Sequence, residues 1–228
     1  MNRFDAGIET FFSHAAWGGL LDHIVKAVAD LYTFKGLVLI PILWWIWFQP
    51  GERSNWRREI IIATIASGWL ALACGRLLAE CLPFRVRPIY ELRLHLHFTS
   101  AWDPTLSKWS SFPSDHAMLW MAVALGIFFI RPGIGLLAML YTAVFICLPR
   151  AYLGFHYPTD LLAGAAIGVA ITYVMTRDAV RRLYAPKVLR WVEHRPGLSA
   201  MLAFVVCLEL VTQFDELRSL ASSVLKAV

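Results

Sequence analysis

Charge is scarce in this sequence: Asp, Glu, Lys and Arg together make up 16% of its 228 residues, against about 25% in a soluble domain. A water-covered globule is therefore a poor fit. Cysteine is scarce as well. Cys74, Cys81, Cys147 and Cys207 lie in or beside apolar stretches with no paired spacing, which argues against a disulfide framework or a zinc site and leaves them as small buried hydrophobes. The chain does not open on a basic stretch followed by an apolar core. Asp5 and Glu9 interrupt its start, so no cleavable signal peptide is expected. Internal repeats and low-complexity tracts are lacking too. What is plentiful is apolar surface, at 58% of residues, and tryptophan, at 10 residues, a side chain that anchors at membrane interfaces. The net charge of +5 would in a soluble protein point to nucleic acid. Here the basic residues fall between apolar segments, where membrane orientation and phosphate contacts account for them, and no nucleic-acid partner is expected.

A membrane-spanning helix needs about 20 mostly apolar residues. Six candidates stand at about 33–48, 60–82, 114–130, 134–148, 159–175 and 198–214. Ahead of them, Trp17 to Leu31 mixes Asp22, His23, Lys26 and Asp30 with apolar residues, the pattern of an amphipathic helix lying at the interface. The expected fold class is all-α, an integral-membrane six-helix bundle with an N-terminal interfacial helix. Residues 1–32 form the interfacial segment, 33–215 the six-span domain with active-site loops at 83–116 and 149–160, and 216–228 a tail. The stretches 83–113 and 177–196 read as long connections, of the kind that is usually functional or mobile. Arg53, Arg57, Arg58 and Arg131, with the basic run from Arg177 to Arg195, fall by alternation on one side, predicted to be cytoplasmic.

Three polar clusters fall on the other side: Arg85-Val86-Arg87-Pro88, then Pro113-Ser114-Asp115-His116, then Arg150 with His156 and Asp160. Ionisable groups at such depth are costly unless they face a cavity or a partner. Together they are equipped for phosphoryl transfer. Arginine forks match phosphate oxygens bidentately, so Arg87 and Arg150 would hold the equatorial oxygens as charge redistributes. Ser114 stands at a helix start, where its hydroxyl and nearby backbone N–H groups, that of Asp115 included, would face an anion. His156 would attack phosphorus in its neutral form. Asp160 would accept the proton of its other ring nitrogen and so fix the tautomer. His116 would protonate the leaving oxygen and then deprotonate the hydrolytic water. No metal or other cofactor is required by this scheme.

These residues resemble the type 2 phosphatidic acid phosphatase family, whose pattern is Lys, six residues, Arg-Pro; Pro-Ser-Gly-His; and Ser-Arg, five residues, His, three residues, Asp. Arg87-Pro88 matches the end of the first motif; Pro113, Ser114 and His116 match the second; Arg150, His156 and Asp160 match the third at its spacing. The resemblance covers roughly 33–175. It implies a metal-independent enzyme acting on lipid phosphates or pyrophosphates, with Arg87, Ser114 and Arg150 as phosphate ligands, His116 as acid and base, His156 as nucleophile and Asp160 as its orienting partner. Three positions depart from the pattern. Glu80 stands where the family has lysine, and Arg85, or less favoured Arg76, would supply the missing cation. Asp115 replaces glycine and must point away from the anion or pair with a cation. Pro149 replaces serine.

The expected activity is removal of phosphate from a lipid headgroup. Candidate substrates are a polyprenyl pyrophosphate, which is preferred, phosphatidylglycerol phosphate and phosphatidate. The expected partners are that lipid and the bilayer, in a bacterial inner membrane with the site facing the periplasm or outside. A phosphotransferase would use the same residues. A transporter is a weaker alternative, since the charged residues gather at one face and not at the midplane. A vanadium-dependent haloperoxidase would share the anion site but not the spans. Other residues stay open: Glu209 as an intramembrane carboxylate, functional, or else protonated or hydrogen-bonded within the bundle; His95 and His97 on a short strand or interfacial surface, which is preferred, or in a headgroup pocket; Trp102, Trp109 and Phe112 packed at the interface.

Overall fold

The computed structural model describes residues 3–14, 19–91, 98 and 106–213. Within them the chain is helical, with no β-strand among the described residues. His95, His97, Trp102 and the tail 216–228 lie outside the described residues.

Two short helices come first, α1 (Arg3–His14) and α2 (Leu20–Asp30). The sequence reading had expected one interfacial helix here. Asp22 also differs from expectation: it is buried, and its carboxylate accepts a hydrogen bond from the Tyr152 hydroxyl. A π-helical turn, Thr33–Leu37, leads into α3 (Leu39–Trp47), where the first span was predicted. The second span is longer than predicted, as α4 (Ser54–Cys81). The segment predicted as the third span forms α5 (Asp115–Ile130), capped by Ser114. A continuous run follows, made of α6 (Pro132–Tyr141), a second π-helical stretch (Thr142–Cys147) and α7 (Leu148–Tyr152). Then come α8 (Pro158–Thr176), α9 (Asp178–His194) and α10 (Pro196–Thr212).

By length and composition, Ser54–Cys81, Pro132–Tyr152 and Pro158–Thr176 can each cross a membrane, while Asp115–Ile130 and Pro196–Thr212 are apolar but shorter. The clearest departure from the sequence reading is α9, which fills the connection expected at 177–196. Its charges are paired within the helix and across to α4. Asp178 bonds Arg181 at 2.8 Å and Arg182 at 2.9 Å, and buried Arg181 reaches Glu59 at 3.1 Å. Such i, i+3 and i, i+4 pairs stabilise a helix that a hydrophobicity reading passes over.

The core gathers around α5, whose residues from Ala117 to Ile127 include ten buried positions and which packs against α4, α6 and α8. The contact with α8 depends on two glycines one helical turn apart. A Cβ on Gly164 would meet the Ser114 carbonyl oxygen at 2.6 Å, and one on Gly168 the Met118 carbonyl oxygen at 2.1 Å. Only glycine lets the two backbones approach this closely. That approach sets the start of α5 beside the start of α8, and the Ser114 amide donates to the Asp160 carbonyl at 3.3 Å. The outer faces are apolar, with Leu136, Leu137 and Leu140 on α6 and Phe204 on α10 exposed.

Candidate active site

At the end of the bundle where α4 stops and α5 and α8 begin, three segments distant in sequence are tied by backbone contacts. The Arg85 carbonyl accepts from the Ser111 amide (2.9 Å), and the Ile89 amide donates to the Gly154 carbonyl (3.0 Å). The Arg85 amide donates to Ser110 Oγ at 3.2 Å. After α7 the chain turns sharply, the Phe155 and His156 amides both donating to the Arg150 carbonyl, at 2.9 and 3.3 Å.

His156 sits in this turn, 4% exposed. Its Nδ1 is 2.8 Å from the Ser111 carbonyl oxygen, and its Nε2 is 3.3 Å from Arg87 Nη1. A carbonyl can only accept and a guanidinium can only donate. The two contacts therefore select one neutral tautomer, with the proton on Nδ1 and the lone pair on Nε2. Burial, and next the neighbouring Arg87 cation, hold the imidazole pKa well below 6.5. Arg87 is itself clamped, donating from Nη1 to the Phe155 carbonyl (2.9 Å) and from Nε to the Trp109 carbonyl (3.3 Å).

Asp160 does not accept the His156 proton, as the sequence reading had it. Its carboxylate faces the other side of the Ser111 residue. Oδ2 accepts from Ser111 Oγ at 2.5 Å and from the Tyr157 amide at 3.0 Å, and Oδ1 is held by Arg85 Nη1. The link from Asp160 to the imidazole thus runs through Ser111, whose hydroxyl is anchored while its carbonyl receives the Nδ1 proton.

Arg85 also differs from expectation. Its guanidinium bridges two fully buried carboxylates, Asp160 through Nη1 and Asp5 through Nη2 at 2.7 Å, and it lies 4.2 Å from the centre of the Tyr157 ring. It holds carboxylates where a phosphate ligand was expected. The other proposed stand-in for the family's lysine, Arg76, donates to the Gln213 carbonyl at 2.6 Å, and Glu80 is exposed.

Asp115 pairs with a neighbour, which here is a histidine. Its Oδ1 is 2.9 Å from His116 Nδ1 and 2.8 Å from the His116 amide nitrogen. Asp115 and His116 both lie within electrostatic reach of His156. Ser114 is buried and caps α5, its Oγ accepting from the Ala117 amide at 3.5 Å. Arg150 is 5% exposed, with Nη1 on the Ile146 carbonyl at 2.8 Å. Glu209 on α10 is half-buried, its Oε2 lacking a hydrogen-bond partner.

Sequence reasoning missed Ser111, Asp5 and Glu9. Asp5 is fully buried and accepts from the Thr159 amide (3.1 Å) and hydroxyl (2.7 Å) as well as from Arg85. Glu9, one turn further along α1, is fully buried with no partner on either oxygen. Burial first, then the charges of Asp5 and Asp160, push its pKa up to about 8. The available signal was an acidic pair four residues apart in an otherwise apolar start. Among the described residues, no group of three or more His, Cys, Asp or Glu side chains is placed to hold a metal ion.

Comparison with known proteins adds three findings. The model of the PAP2 superfamily matches residues 59–184, more than half of the chain. The bacitracin transport permease protein BcrC of Bacillus licheniformis is 40% identical over 156 residues, covering 66% of this chain and 68% of that protein. The crystal structure of a transmembrane PAP2-type phosphatidylglycerolphosphate phosphatase from Bacillus subtilis superposes with a TM-score of 0.53, at 18% identity, over 75% of this chain and 82% of that one. This last likeness is one of fold.

Proposed function

The chain belongs to the PAP2 superfamily, and from that premise we propose that it is an integral-membrane lipid phosphate phosphatase with His156 as its nucleophile. The observation that carries this reading is the His156 tautomer: Nδ1 faces the Ser111 carbonyl, and Nε2 lies beside Arg87. A buried neutral imidazole with its lone pair aimed at a cation is the arrangement in-line attack on a phosphate requires. Arg87 and Arg150 would take the phosphoryl oxygens, with Ser114 and the amide of Asp115 at the start of α5 completing the cradle. Nε2 attacks phosphorus, and the bond from phosphorus to the lipid oxygen breaks. His116, its Nδ1 held by Asp115, gives the departing oxygen a proton. It then takes one from the water that attacks the phosphohistidine, and the P–N bond breaks to release inorganic phosphate. The arginines supply the charge that a metal ion would otherwise bring.

The six crossings would be Thr33 to Trp47, α4, α5, the α6–α7 run, α8 and α10, with α1 and α2 at the interface, where their exposed Phe4, Phe11, Leu20 and Ile24 meet lipid. Sixteen residues in α5 rise about 24 Å, short of the roughly 30 Å hydrocarbon core. On this reading His116 and His156 would lie level with a lipid headgroup. A polyprenyl pyrophosphate is the preferred substrate, with phosphatidylglycerol phosphate and phosphatidate next. The site would face outward from a bacterial inner membrane.

One relative is named as a transport permease, so a transport reading has a specific source. The site speaks against it, because the polar groups lie at one end of the bundle around a nucleophile and not at mid-membrane. A transferase passing the phosphoryl group to an alcohol would need only a different second acceptor.

The test is trapping of acid-labile phosphoenzyme from a labelled lipid pyrophosphate, with phosphate release measured in parallel. Wild type should form it and turn over in the presence of a chelator, and His156→Ala should do neither. Phosphate release by His156→Ala would remove the nucleophile assignment.

A further inference from the structure

The family match begins at residue 59, yet a carboxylate from α1 is built into the site. We propose that Asp5 is a positioning residue for the nucleophile, acting along the contacts Asp5–Arg85–Asp160–Ser111–His156. The inference deepens the phosphatase reading and rests on it.

Asp5 fixes Asp160 from two directions. In the first, Arg85 Nη2 bonds Asp5 while Nη1 bonds Asp160. A guanidinium is a rigid planar fork, so anchoring one end sets the direction of the other. The Arg85 side chain is 27% exposed, and without that anchor only its Nη1 end would be hydrogen-bonded, to Asp160 and the Thr159 hydroxyl. In the second, Asp5 takes the Thr159 amide and hydroxyl. Pro158 brings no N–H, and the side chain of Asp160 takes the Tyr157 amide, so the Thr159 amide depends on another partner. Asp5 therefore acts as the cap from another helix, satisfying an otherwise orphaned donor and placing negative charge at the positive end of α8. Thr159 is the residue next to Asp160, so this contact fixes the backbone that carries it.

Asp160 in turn holds the Ser111 hydroxyl at 2.5 Å, and the Ser111 carbonyl holds Nδ1 of His156. None of the three intermediate residues, Arg85, Asp160 and Ser111, is among the phosphate ligands proposed above, so loss of Asp5 should act on the chemical step and not on substrate binding. A misplacement of about 1 Å in a reacting group can cost about a hundredfold in rate.

The experiment uses full-length protein and farnesyl pyrophosphate as the probe, with Asp5→Asn, Arg85→Gln and the double variant. Asp5→Asn should lower kcat by about tenfold or more with KM within about threefold, and the double variant should be no slower than Arg85→Gln alone, since coupled residues are non-additive. Multiplicative effects, an effect on KM alone, or wild-type kcat in Asp5→Asn would overturn the role. The exponential rate of phosphoenzyme formation is read as well, because it does not depend on what fraction of the sample folds. If wild type forms phosphoenzyme and Asp5→Asn forms it equally fast, this inference alone fails. If wild type forms none, the nucleophile reading fails and takes this one with it.

Discussion

Asp115 Oδ1 lies 2.9 Å from His116 Nδ1, in the motif where the resembled family carries glycine. The contact fixes the His116 ring through Nδ1, and both residues lie within electrostatic reach of His156. It also places a negative side chain near an anion site, where it would oppose phosphate if unpaired.

The two effects separate kinetically. Asp115→Asn should lower kcat by about tenfold or more, the low end of what a positioned acid–base group contributes. KM should stay level or fall, because a charge that repels the substrate has gone. A rise in KM at constant kcat would instead make Asp115 a binding residue. Steady-state kinetics on a lipid pyrophosphate decide between them.

Ser111→Ala removes the hydroxyl that joins the loop to Asp160 and keeps the carbonyl that faces His156. It also leaves a buried carboxylate one hydrogen bond short, a loss of about 1–3 kcal/mol. The expected result is a lower melting temperature and a lower kcat at little-changed KM. Ser111→Thr, which keeps the hydroxyl, should restore much of both. Failure of the threonine variant to restore kcat would argue that the hydroxyl is not the link.

The acid side of the pH–rate profile follows from His156. Attack needs the neutral ring, and burial and Arg87 keep the ring neutral well below pH 6.5. Activity should therefore hold as pH falls from 7 to 6.5, where an ordinary histidine would be half protonated. Arg87→Gln removes a cation that opposes protonation, so in that variant the acid limb should move to higher pH. An acid limb unmoved by Arg87→Gln would remove the electrostatic pairing of these two residues.

Glu9 gives a stability signature. Its pKa is raised in the folded protein from 4.5 to about 8, so the fold favours the protonated form. That contribution is fully present below pH 4.5 and is lost as pH rises through 8. It is on the order of a few kcal/mol. Glu9→Gln is neutral throughout. Wild type should lose melting temperature between pH 5 and 8 relative to this variant, measured in detergent. Parallel curves would mean that Glu9 finds a partner when charged.

The apolar helices were legible because long apolar runs have few alternatives, and the three motif clusters were legible because their spacing is local. The network behind them was not. Asp5 and Thr159 are separated by 154 positions, and no pattern in either neighbourhood names the other. Ser111 acts through its backbone carbonyl, an atom every residue possesses, so nothing in its identity announces the role. Arg85 was read as a phosphate ligand because an arginine beside an Arg-Pro motif carries the right charge; that two buried carboxylates claim it depends on where α1 lies. The helix α9 was read as a connection because its charges and Pro186 mask a periodicity that the Asp178 and Glu59 pairs sustain.

The Asp5–Thr159 contact also bears on biosynthesis. Helix α1 is synthesised well ahead of α8, so its Thr159 contact can form only after α8 has been made. Until then the Asp5 carboxylate lacks the Thr159 amide and hydroxyl that donate to it in the folded protein. A nascent chain halted before residue 159 would hold Arg87 and His116 yet lack the Thr159 dock for α1.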